Sequence, residues 1–520
     1  MSDEDPLLSL RRRVSAVLER LNGPYQPRYY RGRKVIRDVI WGMIDIYPHE
    51  LALVDCPLFQ RLRGISQTSL ALLTYPSSGH SRFEHSLGAL AVADRVLRSL
   101  RERVEISQKE MIEVRLAALL HDCTHGPLSH TSESFYRSNA IFARIKNQYS
   151  ELFKNASPSE ILTYCTLTSD WFQELWMRIV NQYEGDLPDV DIFRIATMII
   201  GAEANSERPL SSISPTRRFL RQLINGPFDV DKLDYIARDG YFTGLSLGID
   251  VERLLWVLDT FESRIDAVDT TNPVFLCVSA SGATILEQIL FAKMQLFSSI
   301  YHHHKVRVAH NAALRLMSHL SDAGVLIKGM PLTSPETFIA LEDSDLLHGC
   351  FAAENDPGKS NVLQKALTLA SAIKNRTLPM RALVLTFPVW GRDSAMPEED
   401  YRKEWANLLK TPGQPEKIAT QIADQAGVDR DEVWVDTPDT VNLQGTGQEG
   451  LIKFDENTAL PIQQMFPVGG WLSAYQSYRM ISYIFTWGDR KKVGLAGREI
   501  LESEYSIVIN DVALKLARIE

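Results

Sequence analysis

The chain has 520 residues, 45% of them hydrophobic and 23% charged, with 56 Lys and Arg against 65 Asp and Glu for a net charge of −9. That balance fits a globular protein of two or three domains and argues against a nucleic-acid binder, so an anionic ligand would need a local basic pocket. No window approaches 18 uninterrupted apolar residues, and the opening MSDEDPLLSLRRR lacks an apolar signal core; a cytoplasmic protein without a membrane span is expected.

Residues 1–48 open with a predicted helix, LLSLRRRVSAVLERL, followed by NGPYQPRYYRGRK, read as a solvated basic arm. Nothing in these residues suggests a SAM-like module. HELALVDCPLFQRLRGISQ, 49–67, has the apolar stripe of a helix ending near Gln67. RFEHS at 82–86 leads into SLGALAVADRVLRSL, again of helical period. The run EMIEVRLAALL places Met111, Ile112, Leu116, Leu119 and Leu120 on a buried helix face and ends at His121 and Asp122.

HDCTHGPLSH, 121–130, packs three histidines and an aspartate into ten positions. Neighbouring helical residues diverge by about 100°, so His121 and Asp122 can share an ion only where the helix finishes. Gly126-Pro127 supplies that break. Imidazole with carboxylate suits Mn, Fe, Zn or Mg better than a thiolate-seeking ion. The five cysteines, Cys56, Cys123, Cys165, Cys277 and Cys350, form no CxxC pair, so neither a disulfide framework nor a thiolate zinc site is expected; Cys123 reads as packing.

Further on, 171–205 reads as helical and SERPLSSISPTRR as a loop. In DVDKLDYIARD, 229–239, the spacing puts Asp231, Tyr235 and Asp239 on one helix face. Residues 284–320 read as one or two long helices; within them His302, His303 and His304 point in different directions, so no second metal is expected there. From 331 the pattern changes to candidate strands, RALVLTFPVW, EVWVDT, LIKFDE and ISYIFTW, with a closing helix. GTGQEG at 445–450 precedes a strand instead of opening a helix and reads as a turn.

Together, RFEHS, HDCTHGPLSH and DVDKLDYIARD, in this order, resemble the HD-domain deoxynucleoside triphosphate triphosphohydrolases from about residue 35 to 320. The resemblance implies a mainly α fold: an N-terminal helix and arm (1–48), an HD-domain helical metal-phosphohydrolase core (49–330) and a C-terminal α+β lobe (331–520). It implies that His85, His121, Asp122 and Asp231 hold a divalent ion. His125, oriented by Glu133, and His130 would deliver a proton to the departing 5′ oxygen. Gln67 would contact the sugar, with Thr68 where the family has leucine, and Arg82, Lys232, Tyr235 and Asp239 would contact the triphosphate, sugar and 3′-hydroxyl. Lys293 and His302 stand where the family offers an arginine and a glutamine, and Tyr301 is retained. Ser159-Glu160 stands where the family has His-Glu.

The implied reaction is hydrolysis of a dNTP to a deoxynucleoside and inorganic triphosphate, which would lower the dNTP pool. The implied partners are the dNTP substrate, a dNTP activator and copies of the same chain in a tetramer or hexamer. Two alternatives stay open: another HD phosphohydrolase or phosphodiesterase, and a nucleotide-sensing subunit with weakened catalysis. A role in antiphage defence is compatible with each, although no residue argues for it.

Overall fold

A computed structural model describes residues 4–183, 185, 187–263, 272–349, 351, 357–385, 405, 407–409, 411, 413–438, 450–466, 470, 482–507, 509 and 511–519. Cys350, the second half of RALVLTFPVW and most of GTGQEG lie outside them. The chain divides into two compact units, one of 1–293, 316–367 and 444–466, the other of 294–315, 368–443 and 467–520. The units interleave along the sequence, and residues on both sides of 331 contribute to each.

The first unit is mainly helical, and its helices begin where side chains can serve the free amides of a first turn. Pro6–Asn22 starts on Asp5, whose carboxylate accepts the Leu7 amide at 2.9 Å, and buries the stripe Leu7, Leu10, Val14 and Leu18. Arg82–Leu100, Gln108–Leu120 and Pro158–Leu167 each begin with a Ser-x-x-Glu capping box, formed by Ser81 and Glu84, Ser107 and Glu110, and Ser157 and Glu160. Val230–Thr243 is capped by Asp229, which accepts the Lys232 amide at 2.9 Å, and ends at Gly244 with φ +75°.

Three stretches differ from the sequence expectation. The 49–67 helix is broken into Pro48–Val54, Pro57–Gln60 and a 3-10 turn, Arg61–Gly64, because Pro57 has no amide to continue the first helix. The arm is pinned: the Tyr25 hydroxyl donates to Ala52 O at 2.6 Å, Tyr30 bonds Asp55, and Tyr29 stacks on Tyr183 at 5.3 Å. It runs into a hairpin, Lys34–Asp38 with Gly42–Ile46, whose exposed Val35 and Met43 hide the alternation a strand would show. The helical reading of 171–205 resolves into Asp170–Gln182 and Ile192–Ile199.

A four-stranded sheet in this unit has the order Thr458–Pro461, Leu451–Asp455, Val274–Ser279, Leu258–Glu262. Its parallel pair aligns Cys277 with Leu451, so the LIKFDE strand joins residues 174 positions earlier. The second unit holds an antiparallel sheet with the fully buried Ser482–Thr486 between Met380–Leu385 and Val433–Asp436; Gln414–Ala426 and Arg490–Tyr505 pack on it. The fold is mainly α, and the α+β character expected for 331–520 is shared between the two units, since the 451–461 strands join the first. Among the described residues no helix is long and apolar enough to cross a membrane.

Candidate active site

Three helices of the first unit meet at the motif residues. The first turn of Arg82–Leu100 carries His85, the end of Gln108–Leu120 carries His121 and then Asp122, and the first turn of Val230–Thr243 carries Asp231. His85 Nε2 lies 3.3 Å from His121 Nε2, 3.4 Å from Asp122 Oδ2 and 3.1 Å from Asp231 Oδ1. His121 Nε2 lies 3.5 Å from Asp122 Oδ1 and 3.7 Å from Asp231 Oδ1.

These separations can be tested against an ion. Bonds of about 2.1 Å to a small divalent cation put neighbouring donors roughly 3.0 to 3.4 Å apart in octahedral or tetrahedral geometry, close to the spacing found here. Electrostatics agree. Burial alone would depress His85, yet the carboxylates of Asp231, Asp234 and Asp122 push it up to about 10. So strong a pull on a proton marks a centre that favours positive charge, and the His85, His121 and Asp122 group could hold a metal ion.

The outer partners fix the imidazoles. His85 Nδ1 is 2.7 Å from Asp234 Oδ2 and His121 Nδ1 is 2.8 Å from Ala118 O. Neither oxygen can donate, so each Nδ1 carries the hydrogen and each Nε2 offers its lone pair to the centre. Asp234 is held in turn by Trp41 Nε1 and by Arg238, which also reaches Asp38 at 2.9 Å. Asp234, Trp41, Asp38 and Arg238 were not among the expected site residues. Asp234 lies inside the quoted motif, three residues after Asp231, and that spacing was the available signal.

The second cluster differs from expectation. Glu133 engages His130, with Oε2 3.2 Å from His130 Nδ1, and not His125. Spacing explains the choice, since 130 and 133 are neighbours on one turn of the His130–Tyr136 helix. Burial opposes the charge on Glu133, but the His130 ring holds the carboxyl down at about 2. His125 Nε2 sits 3.2 Å from Asp122 Oδ1 and its Nδ1 is buried without a hydrogen-bond partner. Burial and then the Arg82 guanidinium push His125 down to about 4.

Arg82, expected on phosphate, bonds Asp122, donates from Nε to Ser129 Oγ at 3.0 Å and lies 3.3 Å from His130 Nε2 through Nη2. Burial opposes ionisation of Asp122, while Arg82 and then His121 hold it well below the carboxylate range. Gln67 keeps its register with Arg82 through a Ser66–Ser81 bridge: its amide donates to His80 O at 3.0 Å, and the Arg82 amide to Ile65 O at 2.9 Å. Gln67 Oε1 is buried and unpaired. Lys232 Nζ reaches Gly226 O at 2.9 Å and the Asp229 carboxylate. Tyr235 is half-buried one turn beyond Asp231. Asp239 is paired with His80, Oδ1 to Nε2 at 2.7 Å, a residue the sequence reading passed over although it lies two positions before Arg82.

Lys293, half-way between expectation and surprise, lies within the electrostatic reach of Lys232, Asp229 and Asp231; burial, then Lys232, lower it to about 8. Tyr301 and His302 belong to the second unit, where a π-helical turn, Phe297–Tyr301, separates Ala283–Leu296 from His304–Asp322 and the Tyr483 hydroxyl donates to His302 O at 3.3 Å. Ser159 and Glu160 serve the start of their helix: Ser159 Oγ is 2.9 Å from Ser157 Oγ, and Glu160 caps it while accepting Asn225 Nδ2 at 3.1 Å.

Comparison with known proteins agrees with this geometry. Residues 82–163 match the HD domain, and 249–449 match the HD associated region. An uncharacterized protein of Methanocaldococcus jannaschii is 33% identical over 277 residues, 53% of this chain and 47% of that protein. Deoxynucleoside triphosphate triphosphohydrolase SAMHD1 of Bos taurus is 32% identical over 237 residues, 43% of this chain and 38% of the relative. The SAMHD1 homolog of Dictyostelium discoideum is 26% identical over 352 residues, 66% of this chain and 59% of its own length. The chain therefore spans between 38% and 59% of the length of these relatives. The HD match runs from Arg82 through His121 and Asp122 to Thr163, across two of the three helices that meet at the centre, and over about half of its length the chain is similar to deoxynucleoside triphosphate triphosphohydrolases that carry this domain.

Proposed function

We propose that the chain hydrolyses deoxynucleoside triphosphates to a deoxynucleoside and inorganic triphosphate. The observation that carries the reading is that His85 Nε2 lies 3.1 to 3.4 Å from donor atoms of His121, Asp122 and Asp231, beside a histidine paired with a carboxylate. A divalent cation held by these four residues would supply Lewis-acid charge and lower the pKa of water.

The protein's own groups divide the remaining tasks. Water attacks the α-phosphorus and the bond to the 5′ oxygen breaks, so that oxygen needs a proton. His130, exposed and held at Nδ1 by the Glu133 carboxylate at 3.2 Å, is the donor. His125 keeps its hydrogen on Nε2 toward Asp122 and serves to hold that carboxylate. Lys293 and Lys232 offer charge to the triphosphate, with Arg82 turning from Asp122 to phosphate as the substrate arrives. Gln67 Oε1, buried and unpaired, accepts from the sugar hydroxyl. Tyr235 and Asp239 flank the sugar. Self-association and activation by a second nucleotide belong to the same proposal.

The test is incubation of the purified protein with each dNTP and with GTP, singly and mixed, in Mn or Mg. Release of deoxynucleoside and triphosphate, lost in His121→Ala, supports the reading; inorganic monophosphate points to a different phosphohydrolase. One observation favours a second reading, a nucleotide sensor: Ser159-Glu160 is engaged in capping where the family's His-Glu would stand. Saturable dNTP binding without any product would select it.

A further inference from the structure

Residues 341–343 are tied to the HDCTHGPLSH turn at two points. Arg61 donates from Nη1 to Leu341 O at 2.7 Å and from Nη2 to Cys123 O at 3.1 Å. The Asp343 carboxylate accepts the Leu128 amide at 2.6 Å and the Ser66 amide at 2.9 Å. The surfaces are pressed together: a β-carbon on Gly126 would stand 2.9 Å from Phe338 Cβ, and one on Gly64 2.3 Å from Glu342 Oε2.

What Asp343 holds is a strained piece of backbone. Leu128 and Ser129 have φ of 58° and 51°, in the left-handed region that side chains with a β-carbon rarely adopt. That turn sets two groups of the site. Ser129 Oγ accepts from Arg82 Nε at 3.0 Å while donating to Ser66 O at 2.5 Å. His130, the next residue, opens its helix with Nε2 3.3 Å from Arg82 Nη2. Such strained residues persist only where the surroundings over-determine them, and two hydrogen bonds to one carboxylate are that kind of restraint.

We propose that Asp343 is a positioning residue for the active site: its carboxylate clamps the Leu128–Ser129 turn to Ser66 and thereby sets where Ser129 and His130 meet Arg82 and the substrate. The effect on turnover rests on the phosphohydrolase reading; the clamp itself does not.

Asp343→Ala removes both acceptors, whereas Asp343→Asn keeps one oxygen and turns an amino group toward the other amide. In Asp343→Ala, kcat for triphosphate release is expected to fall about 10- to 100-fold with KM and retained Mn changed less than about twofold; Asp343→Asn should lie between it and the parent. Amide hydrogen exchange in peptides covering 121–133 should quicken about tenfold, while peptides from Pro6–Asn22 keep their rates. Unchanged exchange in 121–133, or a loss of turnover that only tracks the loss of folded protein, overturns the proposal. If the parent protein turns over no dNTP, the functional reading fails, and the exchange comparison still decides the clamp.

Discussion

A β-carbon built on Gly88 would stand 1.9 Å from Asp234 Oδ1 and 2.3 Å from Arg238 Nη2, so the bare backbone of Arg82–Leu100 is what admits the carboxylate that orients His85. Gly88→Ala should push Asp234 off His85 Nδ1 without touching any of the four expected ligands. Outer partners of metal-binding histidines typically contribute 10- to 100-fold in affinity, so Mn retention against graded chelator should weaken by about that factor. Wild-type retention in a folded Gly88→Ala protein would show Asp234 to be dispensable.

Asp234 also neutralises Arg238, whose guanidinium is buried against Asp234 and Asp38. Removing one partner of a buried pair leaves charge uncompensated. Asp234→Ala should therefore destabilise the metal-free protein by about 3 kcal/mol, read from urea unfolding in chelator. Asp234→Asn, which preserves shape and one acceptor, should cost less. Equal stability in all three proteins would mean that Asp38 alone suffices for Arg238.

The site was legible where chemistry and spacing coincide. His121-Asp122 at the end of a periodic apolar run and Asp231 on a capped helix needed only local pattern, and they meet. The resemblance implies Glu133 beside His125, whereas the helical step from 130 to 133 favours His130, and the hydrogen bond in the structure is to His130. Asp234, His80 and Asp343 were missed for another reason. Their importance comes from long-range partners, His85 across 149 residues, Asp239 across 159 and Leu128 across 215, which no sequence window contains. The strands after 380 were visible as short apolar runs set between loops, but not that LIKFDE would leave its neighbours to pair with 274–279. The Lys34–Ile46 hairpin was hidden by exposed Val35 and Met43.

Lys293 gives a pH signature. Burial, then repulsion from Lys232, lowers the ammonium to about 8. A lowered lysine is charged below that pH and neutral above it, so attraction for a triphosphate is present below about 8 and lost as pH rises through it. KM for a dNTP should climb between pH 7.5 and 9, about tenfold if one charge-assisted contact is lost. Lys293→Arg, which stays ionised throughout, should flatten the climb. A KM profile identical in the two proteins would remove Lys293 from the phosphate contacts.

The pairing of Glu133 with His130 makes a prediction that separates it from the pairing expected from sequence. A carboxylate that stabilises a protonated imidazole acts only through that ring, so removing it from a protein already lacking the ring should cost nothing more. His130→Gln should lower kcat by about 100-fold or more, as loss of a general acid does, with bound metal retained because the ring lies outside the four-donor group. Glu133→Gln should lower kcat by a smaller factor, and the double variant should match His130→Gln alone. The same cycle drawn with His125→Gln should show weaker coupling, since the His125 hydrogen goes to Asp122 at 3.2 Å and Glu133 acts on that ring only through space. Strong coupling between Glu133 and His125, with additivity toward His130, would reverse the assignment and return the proton to His125.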